Sequence, residues 1–253
     1  MIFDTHAHYD DKQFDQDREE LLASMKDNGI GTIVDVGSNM ETSTWIVEAV
    51  TRYPMMYGAV GVHPSDTAEL KESDIDTLKK YAAMDRILAI GEIGLDYYWD
   101  KSFVDLQKEV YVKQILLANK LNLPIVIHDR EAHKDAYDLL LEYNQSSKAL
   151  FHCFSGSVEF MRECVKKGWY IALGGVVTFK NSNLYKVVEH VGISNIVLET
   201  DAPYLAPVPY RGMQNSSKYI PIIAKRVGEV LNISLEEVAE QTTFNACNLF
   251  DLN

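Results

Sequence analysis

The chain opens with a short apolar segment that runs directly into two histidines, MIFDTHAH at residues 1–8. Its composition predicts a first β-strand. In a doubly wound α/β fold, a glycine-rich phosphate-binding loop usually follows this strand. Here the strand is followed by His6-Ala7-His8 instead. The stretch therefore argues against the doubly wound fold and favours the other common α/β architecture, the barrel.

Along the rest of the chain, short runs of Val, Ile and Leu alternate with longer segments of helical periodicity. The strand candidates are Met1–Thr5, Thr32–Val36, Met56–Gly61, Ile87–Gly91, Pro124–Ile127, Ala149–Phe151, Tyr170–Leu173 and Ile196–Leu198. The clearest helical segments are Asp17–Asn28, Phe103–Leu121, Ser217–Leu231 and a closing tail, Leu235–Asn253. Near-continuous apolar strands between helices indicate a parallel sheet covered on both faces. Eight such units in 253 residues predict a single-domain (β/α)8 TIM barrel over residues 1–253.

The charge balance restricts the classes of function. Lys and Arg number 24 against 37 Asp and Glu, which gives a net charge of −13. This excess of acid argues against a protein that coats nucleic acid through a broad basic face. A nuclease remains compatible with it, because bound metal ions supply a positive field locally.

Location is predicted from three further features of the sequence. No apolar run approaches the roughly 18 residues that a membrane span needs. The first residues are acidic where a signal peptide is basic. The three cysteines lack a C-x-x-C spacing, so neither a disulfide framework nor a zinc knuckle is expected. We therefore expect a cytoplasmic protein with no membrane association and no obligatory protein partner.

Most of the histidines coincide with predicted strand ends, where the active sites of barrel enzymes lie. Residues with this placement are His6 and His8 after strand one, His63 after strand three, Glu92 at strand four, His128 at strand five, His152 at strand six and Asp201 beyond strand eight. His6 and His8 are two apart in an extended segment, so their side chains point the same way. Two imidazoles that point the same way can coordinate one metal ion together.

Six candidate ligands are too many for one tetrahedral ion and suit two divalent ions about 3.5–4 Å apart. We assign His6, His8 and Asp201 to one ion, and His128 and His152 to the other. Glu92 is the candidate bridging ligand, because its carboxylate has two oxygens and glycines flank it. Imidazole and carboxylate donors suit Zn²⁺ or Mn²⁺, with Mg²⁺ also open.

The motifs together resemble the TatD family of metal-dependent deoxyribonucleases, which belongs to the amidohydrolase superfamily. The matching segments are FDTHAH (3–8), GVHP (61–64), GEIGLDYY (91–98), HDREA (128–132), HCFSG (152–156) and ETDAPYLAP (199–207). The resemblance spans nearly the whole chain. It implies a barrel hydrolase that cleaves phosphodiester bonds from the 3′ end of DNA, with single-stranded DNA or 3′ ends as the substrate. It also implies the metal roles already assigned. In the expected reaction a water activated by both metals attacks phosphorus, and Asp201 accepts its proton, with Glu92 as the second catalytic carboxylate.

Substrate contacts are expected from four residues at the rim, namely His63, Arg130, Tyr204 and Arg211. His63 is expected either to meet a phosphate oxygen or to cap its own loop. Arg130 is expected to pair with a phosphate or with a rim acid such as Glu131. Tyr204, like the aromatic run at residues 97–99, is placed to stack on bases or to pack on its neighbours.

One departure from the family pattern bears on the affinity for DNA. The family often has basic residues after the Pro-Tyr-Arg-Gly turn, and here Met213 and Gln214 follow. Two alternatives therefore stay open. One is a binuclear amidohydrolase or esterase acting on a small amide, lactone, phosphotriester or aminoacyl ester. The other is a scaffold protein that keeps the fold without turnover.

Overall fold

The computed structural model describes residues 1–99, 101–145 and 148–252. Its eight strands are β1 (Ile2–Ala7), β2 (Ile30–Val36), β3 (Met56–Val60), β4 (Ile87–Asp96), β5 (Ile125–Arg130), β6 (Ala149–Phe151), β7 (Tyr170–Leu173) and β8 (Ile196–Leu198). They form one sheet in the order of the sequence. The predicted bounds of β6, β7 and β8 are confirmed to the residue.

Pairing between the last strand and the first closes the sheet. Ala7 forms a parallel bridge with Ala202, just beyond β8. The amide of His8 donates to the carbonyl of Ala202 at 2.7 Å, and the amide of Asp201 donates to the carbonyl of His6 at 2.9 Å. Parallel strands in sequential order with this closure define a (β/α)8 barrel. The predicted fold class is confirmed.

Nine α-helices alternate with the strands in the described part of the chain. They are α1 (Arg18–Ala23), α2 (Met40–Arg52), α3 (Glu72–Ala82), α4 (Val104–Leu121), α5 (His133–Tyr143), α6 (Val158–Lys166), α7 (Leu184–Val191), α8 (Ile220–Leu231) and α9 (Leu235–Phe250). The predicted helix over 17–28 is shorter than expected and is followed by a separate 3-10 turn. The closing helix ends at Phe250, because Asp251 adopts a left-handed conformation. None of the described helices has the length and apolar character that crossing a bilayer requires.

Backbone contacts divide the chain into two compact units. The first, which we call the terminal unit, consists of Met1–Asp35 and Cys153–Asn253, and the second, the central unit, consists of Val36–His152. The terminal unit contains β1, β7, β8 and nearly all of β2, and the central unit contains β3 to β6. That the whole chain is one domain stays a prediction.

Strand β4 of the central unit is longer than the sequence indicated. It was expected to end at Gly91, yet it continues to Asp96, and all ten of its residues are buried. The extension pairs with an equally extended β5, with Gly94 opposite His128 and Asp96 opposite Arg130. Glu92 therefore lies within β4 rather than at its end, and His128 lies within β5.

Gly94 makes this close pairing possible. Its φ angle is +146°, and a Cβ atom there would lie 2.0 Å from the carbonyl oxygen of His128. Only glycine combines that backbone conformation with so close an approach. The extension was missed because a glycine inside an apolar run reads as a strand terminus.

Candidate metal centre

The terminal unit brings His6, His8 and Asp201 together. His6 lies on β1, and His8 follows its last residue, so the two rings leave the backbone on the same side. Their Nε2 atoms are 3.1 Å apart. Oδ1 of Asp201 lies 3.8 Å from Nε2 of His6 and 3.4 Å from Nε2 of His8. We call these three residues the terminal cluster.

The position of Asp201 depends on a tight turn after β8. Its φ angle is +56°, a left-handed conformation that aspartate tolerates better than most residues. The amide of Asp201 is held by His6, and the next residue, Ala202, bridges Ala7. The backbone that closes the barrel therefore also directs the Asp201 carboxylate toward the two imidazoles.

The central unit brings together a second group, which we call the central cluster: Glu92, His128, His152 and His63. Oε1 of Glu92 lies 2.7 Å from Nδ1 of His128 and 2.7 Å from Nε2 of His152. Nε2 of His63 is more distant from the same oxygen, at 3.8 Å. Nδ1 of His128 and Nε2 of His152 are 3.3 Å apart. Oxygen and nitrogen donors thus converge on one small volume.

The spacing in both clusters fits divalent metal ions. Donor atoms bound at about 2.0–2.1 Å around one tetrahedral ion are separated by about 3.3 Å. The two Nε2 atoms of His6 and His8, at 3.1 Å, and the nearest nitrogens of His128 and His152, at 3.3 Å, have this separation. His63, Glu92 and His128 also offer three donor atoms within 4.8 Å of one another. The residues present therefore fit a metal in each cluster.

The central cluster holds its carboxylate ionised. Burial raises the pKa of Glu92, but the electrostatic interactions with the His152 and His63 rings and the hydrogen bonds from His128 and His152 outweigh burial and lower it well below the usual value. Burial and the neighbouring His128 depress the pKa of His63 to about 3. Near neutral pH Glu92 is thus an anion and His63 a neutral imidazole.

Asp96 belongs to this centre although the sequence did not single it out. Its Oδ2 atom lies 3.1 Å from Nε2 of His128, whose other ring nitrogen faces Glu92. Burial opposes protonation of His128, but hydrogen bonds to Asp96 and Glu92 raise its pKa to about 9. A carboxylate behind a metal-binding histidine fixes the orientation of the ring. Its position inside the 91–98 motif was the only available signal.

Asp4 supports the terminal cluster through the backbone of His6, and the sequence did not single it out either. It lies on β1 and is fully buried, which raises its pKa to about 6. It accepts hydrogen bonds from the amide of His6 at 3.3 Å, from the hydroxyl of Thr200 at 2.6 Å and from the hydroxyl of Ser217 at 2.6 Å. Asp4 therefore ties the strand that carries His6 to the segment that carries Asp201.

His63 caps its own loop, which is one of the two roles that the sequence left open, and its contact with a phosphate stays a prediction. Its Nδ1 atom accepts a hydrogen bond from the amide of Ser65 at 3.1 Å, which caps the following turn. Because Nδ1 is the acceptor, the proton of the neutral ring is on Nε2, the nitrogen that faces Glu92. The ring can thus hold its loop and still present a donor to the centre.

The other expected substrate contacts are exposed: Tyr204 and Arg211 lie after β8, and Arg130 is the last residue of β5. The hydroxyl of Tyr204 donates to Asp11 at 2.7 Å, and its ring centroid is 6.2 Å from that of His8. The Arg211 guanidinium lies 4.4 Å from the ring centroid of Phe179. Arg130 stacks on Tyr98 at 3.9 Å. The Tyr204 ring thus lies beside a candidate metal ligand, His8.

Removing the metal is expected to destabilise the protein. At free metal concentrations about 100-fold above the dissociation constant, a bound ion adds about 3 kcal/mol to the free energy of unfolding. Thermal unfolding of metal-loaded and chelated protein, with bound ions quantified, measures this effect. Full recovery of the melting temperature on reloading is expected. Equal melting curves, with no divalent ion bound after reloading, would contradict the assignment of both clusters.

Comparison with known proteins adds independent information about the chain. A family model described as TatD related DNase matches residues 3–251. The uncharacterized metal-dependent hydrolase YabD of Bacillus subtilis is 42% identical over 255 residues, which cover 100% of both chains. The crystal structure of YJJV, a TatD homologue from Escherichia coli, has a TM-score of 0.94 at 25% identity, and the match covers 100% of this chain and 98% of that chain.

A more distant group of structures shares the fold alone. Organophosphorus hydrolase from Deinococcus radiodurans is 14% identical, with a TM-score of 0.65, and the match covers 98% of this chain and 92% of that chain. Identity this low carries no statement about the reaction of the present chain.

Proposed function

Because the chain belongs to the TatD family of metal-dependent hydrolases, we propose that it hydrolyses phosphodiester bonds, as a 3′–5′ exodeoxyribonuclease. The observation that carries the proposal is the pair of imidazole–carboxylate clusters, each with the donor spacing of a divalent metal site. The proposed substrate is single-stranded DNA or the 3′ ends of DNA. The name of the family, TatD related DNase, supports this class of substrate.

We assign one ion to His6, His8 and Asp201 and a second to His128 and His152, with Glu92 as the ligand of both. Two carboxylates then offset only part of the charge of two divalent ions, and the centre keeps a net positive charge. An anionic phosphodiester suits such a centre inside a chain of net charge −13. When bound, the two ions make water nucleophilic near neutral pH and stabilise negative charge on phosphate oxygens.

The protein's own residues would orient the substrate and move the proton. Asp201 is the proposed general base, because its side chain retains 14% exposure and can reach a water, whereas that of Glu92 is 5% exposed. The Nε2–H group of His63 would donate a hydrogen bond to a phosphate oxygen. Asp96 would hold the His128 ring in place, and Asp4 would hold the β1 backbone at His6.

One observation favours the alternative, hydrolysis of a small ester, amide, lactone or phosphotriester. The loop after β8 presents an exposed Met213, and the side-chain amide of Gln214 donates a hydrogen bond to the carbonyl of Gln13 at 2.9 Å. Neither side chain offers positive charge to a long polyanion. A compact substrate that needs only the metal centre would be unaffected by this difference.

The test is a time course on 3′- and 5′-labelled single-stranded DNA with chelated, Mg²⁺-, Mn²⁺- and Zn²⁺-loaded protein. His128→Ala removes a candidate ligand, and His190→Ala, an exposed histidine on α7, is the matched control. Stepwise shortening from the 3′ end that requires metal and His128, but not His190, is expected. Intact DNA together with His128-dependent cleavage of small esters or amides would replace the nuclease assignment by the alternative.

We also propose that the protein acts in the cytoplasm, because its three cysteines have no disulfide or zinc-knuckle spacing. That it acts without an obligatory protein partner stays a prediction.

A further inference from the structure

An exposed aromatic surface follows β4 in the central unit. Tyr98 is 50% exposed, Trp99 72% and Phe103 45%. The rings of Tyr98 and Trp99 meet edge to face, with centroids 4.9 Å apart. Large apolar rings exposed as a group indicate a binding surface more often than isolated ones do. The metal centre as assigned makes no use of them.

A cation completes this surface. The Arg130 guanidinium lies 3.9 Å from the Tyr98 ring centroid and 5.4 Å from that of Trp99. Arg130 ends β5, and its carbonyl accepts a hydrogen bond from the amide of Tyr97 at 2.9 Å. We call Tyr98, Trp99, Phe103 and Arg130 the aromatic platform. It combines flat rings with a fixed planar cation, both of which stack on nucleobases.

One carboxylate joins the platform to the central cluster. Oδ1 of Asp96 accepts hydrogen bonds from the amides of Tyr98 at 2.9 Å and Trp99 at 3.4 Å. Its Oδ2 atom lies 3.1 Å from Nε2 of His128. The same side chain therefore fixes the turn that carries the rings and a ring that is proposed to bind metal. A ligand on the platform would lie next to the centre.

A slot of about 160 Å³ opens beside the platform, lined in part by Trp99, Phe103, Pro64 and Asp96. It is smaller than the roughly 300–1,000 Å³ of pockets for drug-sized molecules. A single flat ring system is a better match for this volume than a whole nucleotide. The aromatic walls and the adjacent Arg130 suit a ring attached to an anionic backbone.

We propose that the aromatic platform stacks an unpaired base of the substrate, with Trp99 as the main stacking surface and Arg130 near the adjoining phosphate. The proposal rests on the proposed phosphodiesterase function and narrows its substrate to single-stranded nucleic acid. A base inside a duplex has both faces covered by its neighbours and would first have to unstack. Stacking accepts every base, so little sequence preference is expected.

The test measures binding and turnover separately on metal-loaded protein. Binding is followed with a labelled thymidine oligonucleotide whose phosphorothioate linkages resist hydrolysis, by anisotropy of the label and by tryptophan emission. The variants are Trp99→Ala, which removes the ring, and Trp99→Phe, which keeps a stacking ring but removes the indole that fluoresces at this position. Phe244→Ala, at an aromatic residue on α9 that is 59% exposed, is the matched control.

We expect the oligonucleotide to quench tryptophan emission in the wild type, and the quenching to disappear in both Trp99 variants. Affinity should fall roughly 10-fold in Trp99→Ala and largely recover in Trp99→Phe. Phe244→Ala should bind like the wild type. Unchanged affinity in Trp99→Ala, no binding by the wild type, or a Trp99-dependent self-association without nucleic acid would each overturn the proposal.

Hydrolysis of bis(4-nitrophenyl) phosphate separates this result from the proposed function. This diester tests the metal centre without an oligonucleotide chain. Its hydrolysis together with Trp99-independent binding of the oligonucleotide would leave the function standing and remove the platform. Absence of hydrolysis in every metal would count against the phosphodiesterase function, whatever the binding data show.

Discussion

Asp201→Ala is expected to lower kcat/KM for phosphodiester hydrolysis on the order of 10³-fold or more. The variant removes the proposed general base and one donor of the terminal cluster together. The two imidazole nitrogens of His6 and His8, 3.1 Å apart, would then face an ion without the carboxylate beside them. Steady-state kinetics and metal content, measured on the same preparation, give the effect.

Two further variants separate the roles of Asp201. Asp201→Asn keeps the shape and one oxygen donor but cannot accept a proton at neutral pH, so metal content should persist while turnover is lost. Asp15→Asn, an exposed carboxylate that pairs with Arg18, is the matched control and should retain full activity. A loss of less than 10-fold in Asp201→Ala would remove Asp201 from the role of base.

Gly94→Ala should be the most destabilising single-methyl change near the central cluster, by about 3–5 kcal/mol in the free energy of unfolding. The new Cβ would lie 2.0 Å from the carbonyl oxygen of His128, and the backbone φ of +146° is unfavourable for any side chain. Since the carbonyl oxygen and the φ angle both belong to the backbone, no side-chain rotation relieves the strain. Chemical denaturation measures the change.

Gly168→Ala is the matched control for this prediction. Gly168 follows α6 with a φ angle of +74°, and a Cβ atom at this position would meet no surrounding atom within 4 Å. The substitution therefore carries only the conformational penalty of a left-handed residue, about 1 kcal/mol. Equal destabilisation by the two variants would mean that close packing of β4 on β5 contributes nothing beyond backbone conformation.

The fold could be predicted because its signals are local. Short apolar runs such as Ala149–Phe151 and Ile196–Leu198 are bounded by polar residues, and their strand limits match the structure. Strand β4 was cut short because its continuation depends on what lies opposite it. No property of Gly94 alone indicates that another backbone passes close to its α-carbon.

The same distinction between local and distant signals applies to the residues of the candidate site. Histidines next to strand ends are visible in the sequence, since a polar residue in that position is conspicuous. Asp4 and Asp96 were not conspicuous, because their partners are distant along the chain. Asp4 accepts from Ser217 and Thr200, and Asp96 lies beside the His128 ring. Such contacts become apparent only when the strands are side by side.

Because the sheet closes between β8 and β1, the two clusters become complete at different stages of synthesis. Every residue of the central cluster has been synthesised once His152 has been translated. The terminal cluster must wait for Asp201, so His6 and His8 spend most of elongation without their carboxylate partner. A nascent chain released before β8 would contain every metal donor of the central cluster, but only His6 and His8 of the terminal cluster. Such a fragment would lack Asp201, the general base that we propose for hydrolysis.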